Sequence, residues 1–452
     1  MNQLGLAIAL GLLSALLFWI ALRPRWSVLA WLALIPLDHV VLSMTPVYVI
    51  VAAALAGMFS TTPVVVDRTQ QGLIRLVAMS SALAWSAAFG CSAWLYQRFP
   101  TPWTGALILP LAAVGAVLPL RIAGAPRWVY NPIARTQEPC LPVVHIAQLG
   151  GDLLVTAVLA AVSGGLAVLL TAESPHAALA AAAAISVSVS ALAYGAARFH
   201  AAKRAADNAV RVRMAAIAVN VPPPDAGPFT GLWAVQSPRA RDVSFALSRY
   251  ELPVKQAAAD GAELVVLPEC AVCVDAQTRA TWLDTLAAWA KRDQVAIVAP
   301  YNDDSVPSNA LAIFDAQGNL VAEYQKQHPA LGIEPKPTLR TPLGPHYVQT
   351  RNRTLPLSAV ICVDLDYADV IDVAKRAGGV LNVPANDWPI FERMHHRTAV
   401  WAAAMSGVPI LRATGHGISS VYDGAGRVLA SQSSLTGPVT LVVDIPLALS
   451  SV

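Results

Sequence analysis

The sequence predicts two structural classes in one chain: a multi-pass α-helical membrane bundle, then a layered α/β domain. Three observations predict them. Hydrophobic residues make up 56% of the 452 residues and charged residues only 13%, well below the charge content of an ordinary soluble domain. The charge is also unevenly spread. Only nine of the 31 basic residues and five of the 28 acidic ones precede position 200, and none of the nine is a lysine. From Met214 onward, short apolar and β-branched runs alternate with helical spacings, the pattern of strands and helices stacked in layers. The second half is close to neutral, so no basic surplus points to nucleic acid.

The elements of the first half are apolar segments. Leu4 to Leu22 is long enough to cross about 30 Å of hydrocarbon. It lacks the basic start of a signal peptide, and more apolar segments follow. Ser27 to Met44 is interrupted by Pro36, Asp38 and His39 and reads as broken or partly inserted. Pro46 to Val66, Ile74 to Tyr96, Trp103 to Leu120, Gly150 to Leu170 and Ala177 to Ala197 follow, making seven spans, or six if the Ser27 segment does not cross. Arg121 to Leu149 is a polar loop with Trp128 and Tyr130, of a length that tends to serve function. Acids inside spans are costly and commonly functional. Asp38 is one; Asp152, at a span edge, is expected to be solvated. With seven spans the more basic loops share a side with the second half, and with six the bias is nearly balanced, so the loops leave sidedness open. Phe199 to Arg213 reads as an alanine-rich basic connector. The expected organisation is therefore a bundle over 1–198, a connector over 199–213 and a catalytic domain over 214–447.

The elements of the second half follow in order. Met214 to Val219 is the first expected strand. Arg241 to Ala259 is a helix, leading through Asp260-Gly261 into strand Glu263 to Leu267. Arg279 to Arg292 places Trp282, Leu283, Leu286 and Trp289 on one helical face. Gln294 to Ala299 is a strand, and Ala310 to Phe314 with Leu320 to Tyr324 a hairpin. Leu357 to Cys362 reads as a buried strand ending on a cysteine. Tyr367 to Ala377 and Phe391 to Ser406 are helices; Val380 to Val383 and Pro409 to Ala413 are strands. A hairpin over Gly417 to Leu429 turns at Asp423-Gly424, and Val439 to Ile445 closes the sheet. Only a short tail follows, with no closing membrane helix.

Three of these strands deliver reactive side chains. Leu264-Val265-Val266-Leu267-Pro268-Glu269 ends on a carboxylate whose direction the proline fixes. Tyr324-Gln325-Lys326 delivers an amine, and the third strand ends at the Cys362 thiol. Ligands of α/β folds bind at such carboxyl ends. A thiol is largely protonated at neutral pH and needs a base or a nearby cation. Glu269 can take its proton, and Lys326 can hold the thiolate and then a tetrahedral oxyanion. The backbone N–H of Val363 is a second candidate donor to that oxyanion. Singly, each residue has an ordinary alternative: a structural cysteine, a solvated acid, a solvated lysine. The set of Cys91, Cys140, Cys270, Cys273 and Cys362 is no disulfide framework. One CxxC without a second pair argues against zinc and leaves a disulfide or two free thiols open. No metal or cofactor is called for.

The order Glu, Lys, Cys with these neighbours resembles the nitrilase, or carbon–nitrogen hydrolase, superfamily. Preceded by several spans, it resembles the apolipoprotein N-acyltransferase family within it. The resemblance runs through Val266-Leu267-Pro268-Glu269, Tyr301-Asn302, Asn309-Ala310, Phe314-Asp315, Gly318, Tyr324-Gln325-Lys326, Ile361-Cys362, Asn386-Asp387-Trp388 and Leu411-Arg412-Ala413-Thr414. Ile146-Ala147-Gln148-Leu149-Gly150-Gly151 resembles the family's loop into a late span. It implies a nitrilase-like αββα sandwich, a Glu269, Lys326, Cys362 triad, and Glu334 as a second glutamate positioning the lysine. It implies an acyl chain taken from a membrane phospholipid onto Cys362 as a thioester. The chain is then passed to the N-terminal amine of a diacylglyceryl-cysteine lipoprotein, at the bacterial inner membrane with the catalytic domain periplasmic. The departures are Asp364, where the transferases carry glutamate, the segment Gln327 to Glu334, and Met405 in place of a glutamate. The same triad would also serve a membrane-tethered amidase or nitrilase acting on a small amide or nitrile.

Overall fold

The computed structural model describes residues 2–60, 71–127, 131–219, 242–329, 334, 337, 344–387 and 392–448. The chain divides into two compact units, 1–200 and 201–452.

The first unit is helical. Helix α1 (Gln3–Ala21) starts where the Asn2 side chain accepts from the Gly5 N–H at 2.8 Å. A 3-10 turn (Pro24–Trp31) and α2 (Ile35–Ser43) make the interrupted second segment. Helices α3 (Pro46–Ser60), α4 (Gln71–Arg98), α5 (Pro102–Ile122), α6 (Ala147–Thr171) and α7 (Pro175–Asp207) follow. Among the described residues, six segments are long and apolar enough to cross a membrane, Pro24–Ser43 among them; Pro46–Phe59 is apolar but shorter. Small residues let these helices approach closely: a Cβ on Gly11 would meet the Ala52 carbonyl oxygen at 2.5 Å.

One expectation needs correction here. Asp152 is buried at 2% exposure rather than solvated. Gly150 and Gly151 leave helical geometry, Gly151 with φ of 70°, and the helix restarts at Asp152, whose carboxylate accepts from Asn131 Nδ2 at 2.8 Å. The polar loop between α5 and α6 folds into the helical unit. Asn131, Thr136, Gln137 and Glu138 are all buried, and Gln137 Nε2 donates to the Ser27 carbonyl at 3.0 Å. Trp128 and Tyr130 lie outside the described residues. Asp38 is buried, and among the described residues neither of its carboxylate oxygens has a hydrogen-bond partner.

The second unit is an αββα sandwich. Strand β1 (Val210–Ala218) begins four residues before the expected first strand, and α7 runs to Asp207, so little separate connector remains. Arg211 and Arg213 disguise the start of β1, because its outer half alternates exposed and buried residues. Arg213 points out and pairs with Asp444 at 2.8 Å. Helix α8 (Val243–Ala259), β2 (Leu264–Val266), β3 (Cys273–Val274), α9 (Arg279–Asp293), β4 (Ala296–Asp303), β5 (Ser308–Phe314) and β6 (Leu320–Gln325) complete the first half. The second half holds β7 (His346–Gln349), β8 (Thr354–Ala359), α10 (Ala368–Ala377), β9 (Val380–Asn386), α11 (Glu392–Ser406), β10 (Ile410–Gly415), β11 (Ile418–Tyr422), β12 (Val428–Ser433) and β13 (Val439–Leu447).

The strands form two sheets, ordered β13-β1-β2-β4-β5-β6 and β7-β8-β9-β10-β11-β12, with β3 added beside β4. Each sheet has a central parallel trio, β1-β2-β4 and β8-β9-β10, flanked by antiparallel strands. Helices α8 and α9 cover the first sheet, α10 and α11 the second, and the sheets face one another through β1 and β10. Strands with both faces covered become near-continuous apolar runs, which is how β2 and β9 read: every residue of both is buried.

Candidate active site

Each reactive residue lies within three residues of a strand's end. Strand β2 stops at Val266, and Pro268 leads into Glu269, which is 2% exposed. Lys326 follows β6 and is 4% exposed, its own N–H donating to the Asn309 carbonyl at 2.9 Å. Strand β8 does not run to the cysteine, as expected from the sequence, but stops at Ala359. Cys362 opens a 3-10 turn, Cys362–Asp366, with φ of 51°. A non-glycine residue in the left-handed region costs about 1–2 kcal/mol, and such strain gathers at functional sites.

Lys326 Nζ donates to Glu269 Oε1 at 2.8 Å and to Glu334 at 2.9 Å. Asn309 Nδ2 spans the same two carboxylates, at 2.7 Å to Glu269 and 2.8 Å to Glu334. The other oxygen of Glu269 accepts from the Asn386 backbone N–H at 2.8 Å. Sequence reasoning had named Glu334 but had given Asn309 and Asn386 no part; only their place in the resembling blocks marked them. Burial pushes the Glu269 carboxyl up from its ordinary range, against the pull of Lys326. Burial opposes the charge of Lys326 too, but Glu269 and Glu334 outweigh it and hold the ammonium well above its usual range. Burial also raises the Cys362 thiol well above the ordinary value. Glu269 adds to that rise, and Lys326 opposes it.

Asp364 ties the lysine strand to the cysteine turn. Its carboxylate accepts from Tyr324 Oη at 2.8 Å, the His328 N–H at 2.7 Å and the Ile361 N–H at 3.1 Å. It is fully buried, so an acid here acts as a bracket rather than a solvated charge. Val363 lies within the 3-10 turn, directly after the nucleophile. Neither Cys270 nor Cys273 is in a disulfide, and Cys273 Sγ donates to Asp304 Oδ1 at 3.3 Å. Trp388 lies outside the described residues.

A second cluster abuts the sulfur. Cys362 Sγ, a carboxylate oxygen of Asp387 and a ring nitrogen of His395 lie within 4.8 Å of one another. Asp387 follows β9, His395 sits in the first turns of α11, and Arg412 rises from β10 to donate to Asp387 Oδ1 and Oδ2 at 2.8 and 3.0 Å. These three donors are of metal-ligating types, but the Arg412 guanidinium already occupies both oxygens of Asp387, and a dication would meet it at close range. Nothing in the sequence set His395 apart from its neighbour His396.

The family model for carbon-nitrogen hydrolases matches residues 232–451. The second unit is a carbon-nitrogen hydrolase domain. Among solved structures, this chain is similar to an amidase from Nesterenkonia sp., at 20% identity over 53% of this chain and 92% of that one, with a TM-score of 0.41. It is similar to a mutant amidase from Nesterenkonia sp. AN1 with the acetamide moiety of fluoroacetamide covalently added at the active-site cysteine. There the identity is 18% over 53% and 92%, with a TM-score of 0.43. It is also similar to Saccharomyces cerevisiae Nit3, a member of branch 10 of the nitrilase superfamily, at 17% over 52% and 90%, with a TM-score of 0.41. No curated protein matches.

Proposed function

We propose that this carbon-nitrogen hydrolase domain is an N-acyltransferase working on lipid-borne substrates, with Glu269, Lys326 and Cys362 as its catalytic residues. One observation carries the reading: a buried carboxylate–ammonium pair that acts electrostatically on a strained cysteine, in a chain whose described residues include six segments long and apolar enough to cross a membrane. Cys362 Sγ attacks an ester carbonyl of a membrane phospholipid as its proton passes to Glu269. Lys326 Nζ and the Val363 N–H stabilise the oxyanion. The C–O bond then breaks, lysophospholipid leaves with a proton from Glu269, and a thioester remains. The N-terminal amine of a diacylglyceryl-cysteine lipoprotein attacks the thioester, Glu269 takes up its proton, and the amide departs as the thiol re-forms. Glu334, Asn309, Asp364 and Tyr324 hold the lysine and the cysteine turn in place. The setting is the bacterial inner membrane with the catalytic domain on the periplasmic side.

The test is a thioester. Incubation with labelled phospholipid should leave a hydroxylamine-sensitive label on Cys362, absent from Cys362→Ala; a label that persists in that variant refutes the reading. The departure of Gln327 to Glu334 from the transferase pattern favours a second reading, an amidase in which water replaces the amine. Ammonia release from small amides, with no restoration of growth in a strain depleted of its lipoprotein N-acyltransferase, would establish that one instead.

A further inference from the structure

The structure assigns His395 to the nucleophile as a second proton acceptor, held by Asp387, beside Glu269. The inference rests on Cys362 being the nucleophile of the proposed reaction, but not on the acyl acceptor. Two geometric facts carry it. A ring nitrogen of His395, an oxygen of Asp387 and Cys362 Sγ fall within 4.8 Å of one another. His395 Nδ1 and Asp387 Oδ1 are hydrogen-bonded at 2.9 Å.

The direction of that bond follows from chemistry. Asp387 is clasped by Arg412 through both oxygens. Its carboxyl is held below the ordinary range by Arg412 and His395, although burial pushes the other way. An ionised carboxylate only accepts, so Nδ1 carries the proton and, in the neutral ring, Nε2 carries the lone pair. An acid orienting an imidazole beside a thiol is the constellation that activates cysteine nucleophiles generally. Nε2 belongs to the ring whose nitrogen meets the 4.8 Å limit, and one bridging water or a small side-chain rotation brings its lone pair to the sulfur.

Glu269 alone is constrained. It already accepts from Lys326, Asn309 and the Asn386 N–H, and each such bond offsets part of the rise in basicity that burial gives it. With a second acceptor the bookkeeping is closed. Along the His395 route, the single thiol proton passes to His395 instead of Glu269 as the C–S bond forms. As the bond to the leaving group breaks, the imidazolium returns that proton to the departing atom. The charged groups that bear on this ring are Asp387 and Arg412 from the second sheet, Cys362 from its turn, and Glu269 and Lys326 acting on the same sulfur. His396, next on the helix, faces Tyr422 Oη at 2.9 Å and is pushed down to about 4 by burial and Arg412.

Alkylation by iodoacetamide needs no acyl substrate, so it tests this role apart from the transferase reading. The full-length protein in detergent is alkylated across pH 5–10. The Cys362 peptide is followed by mass spectrometry, because Cys91, Cys140, Cys270 and Cys273 are also outside any disulfide. Wild type, His395→Gln, Glu269→Gln and the double variant are compared, with thermal unfolding as the check on folding. Two acceptors predict two inflections in the wild-type profile and one in each single variant. His395→Gln should slow Cys362 at least tenfold at pH 7, and the double variant should be slower than either. A folded His395→Gln protein with the wild-type rate and both inflections overturns the assignment. So does one that is slowed equally at every pH, the mark of a packing role. If Cys362 is inert in the wild type at every pH, the proposed reaction fails first.

Discussion

Cys362 sits where a side chain is least comfortable, in the left-handed region with φ of 51°. The Cβ is the source of that strain, so two inactive variants should differ in stability. Cys362→Gly should unfold later than Cys362→Ala by about 1 kcal/mol, read as a shift in thermal midpoint in detergent; equal midpoints would mean the turn is relaxed. At this scale the sequence was legible for acid, amine and thiol, because each follows a recognisable apolar run. It was not legible for what surrounds them. Asn309, Asn386 and Asp364 make contacts set by where β5, β9 and the cysteine turn meet in space, and no local pattern carries that. His395 was missed for a simpler reason: His395 and His396 are adjacent on a helix, and only the packing decides which one turns toward the sulfur.

The element that organises the second half of the site is the parallel pair β9–β10. Register sets Arg412 beside Val383 and Gly415 beside Asn386, which brings the guanidinium under Asp387 at the strand end. Arg412 is 2% exposed and Asp387 is fully buried. Removing one partner of a buried pair leaves an uncompensated charge, so Asp387→Ala should cost roughly 3–5 kcal/mol in thermal or denaturant unfolding. The pH sign is fixed by the shift. A carboxyl held low in the fold stabilises the protein above its unfolded value of about 3.9, and that contribution is lost as pH falls through the lower folded value. The wild-type midpoint should therefore drop more steeply below about pH 4 than that of Asp387→Ala. Equal slopes would mean that Asp387 is not the titrating group. Sequence patterns gave most strands and helices to within a few residues, because covered strands read as continuous apolar runs. They missed β3, of two residues, and β7, an edge strand with little apolar content. They ran β8 into Cys362, because Val360 and Ile361 are as apolar as a strand although they belong to the bend.

On the scale of the molecule, the two sheets repeat one plan. In each, a parallel trio is flanked by one antiparallel strand on one side and two on the other. Glu269 follows β2 and Asp387 follows β9, the middle strands of the two trios, so the two acids that act on the sulfur occupy corresponding places. The layered α/β class was legible in the alternation of short apolar runs and helices. The repetition was not, because it lies in strand order rather than in similar residues. The pairing of β1 with β13 has a further consequence. Nine residues of β1, Val210 to Ala218, lie antiparallel to Leu447 through Val439, so the first and last strands of the domain clasp each other. During synthesis the opening strand must wait, its edge bare, until more than two hundred later residues have left the ribosome. A bare apolar edge recruits other chains. A chain stopped after Gly437 should therefore accumulate as aggregate or be degraded, scored as loss of the monomer peak on size exclusion, even though every residue of the proposed triad is still present.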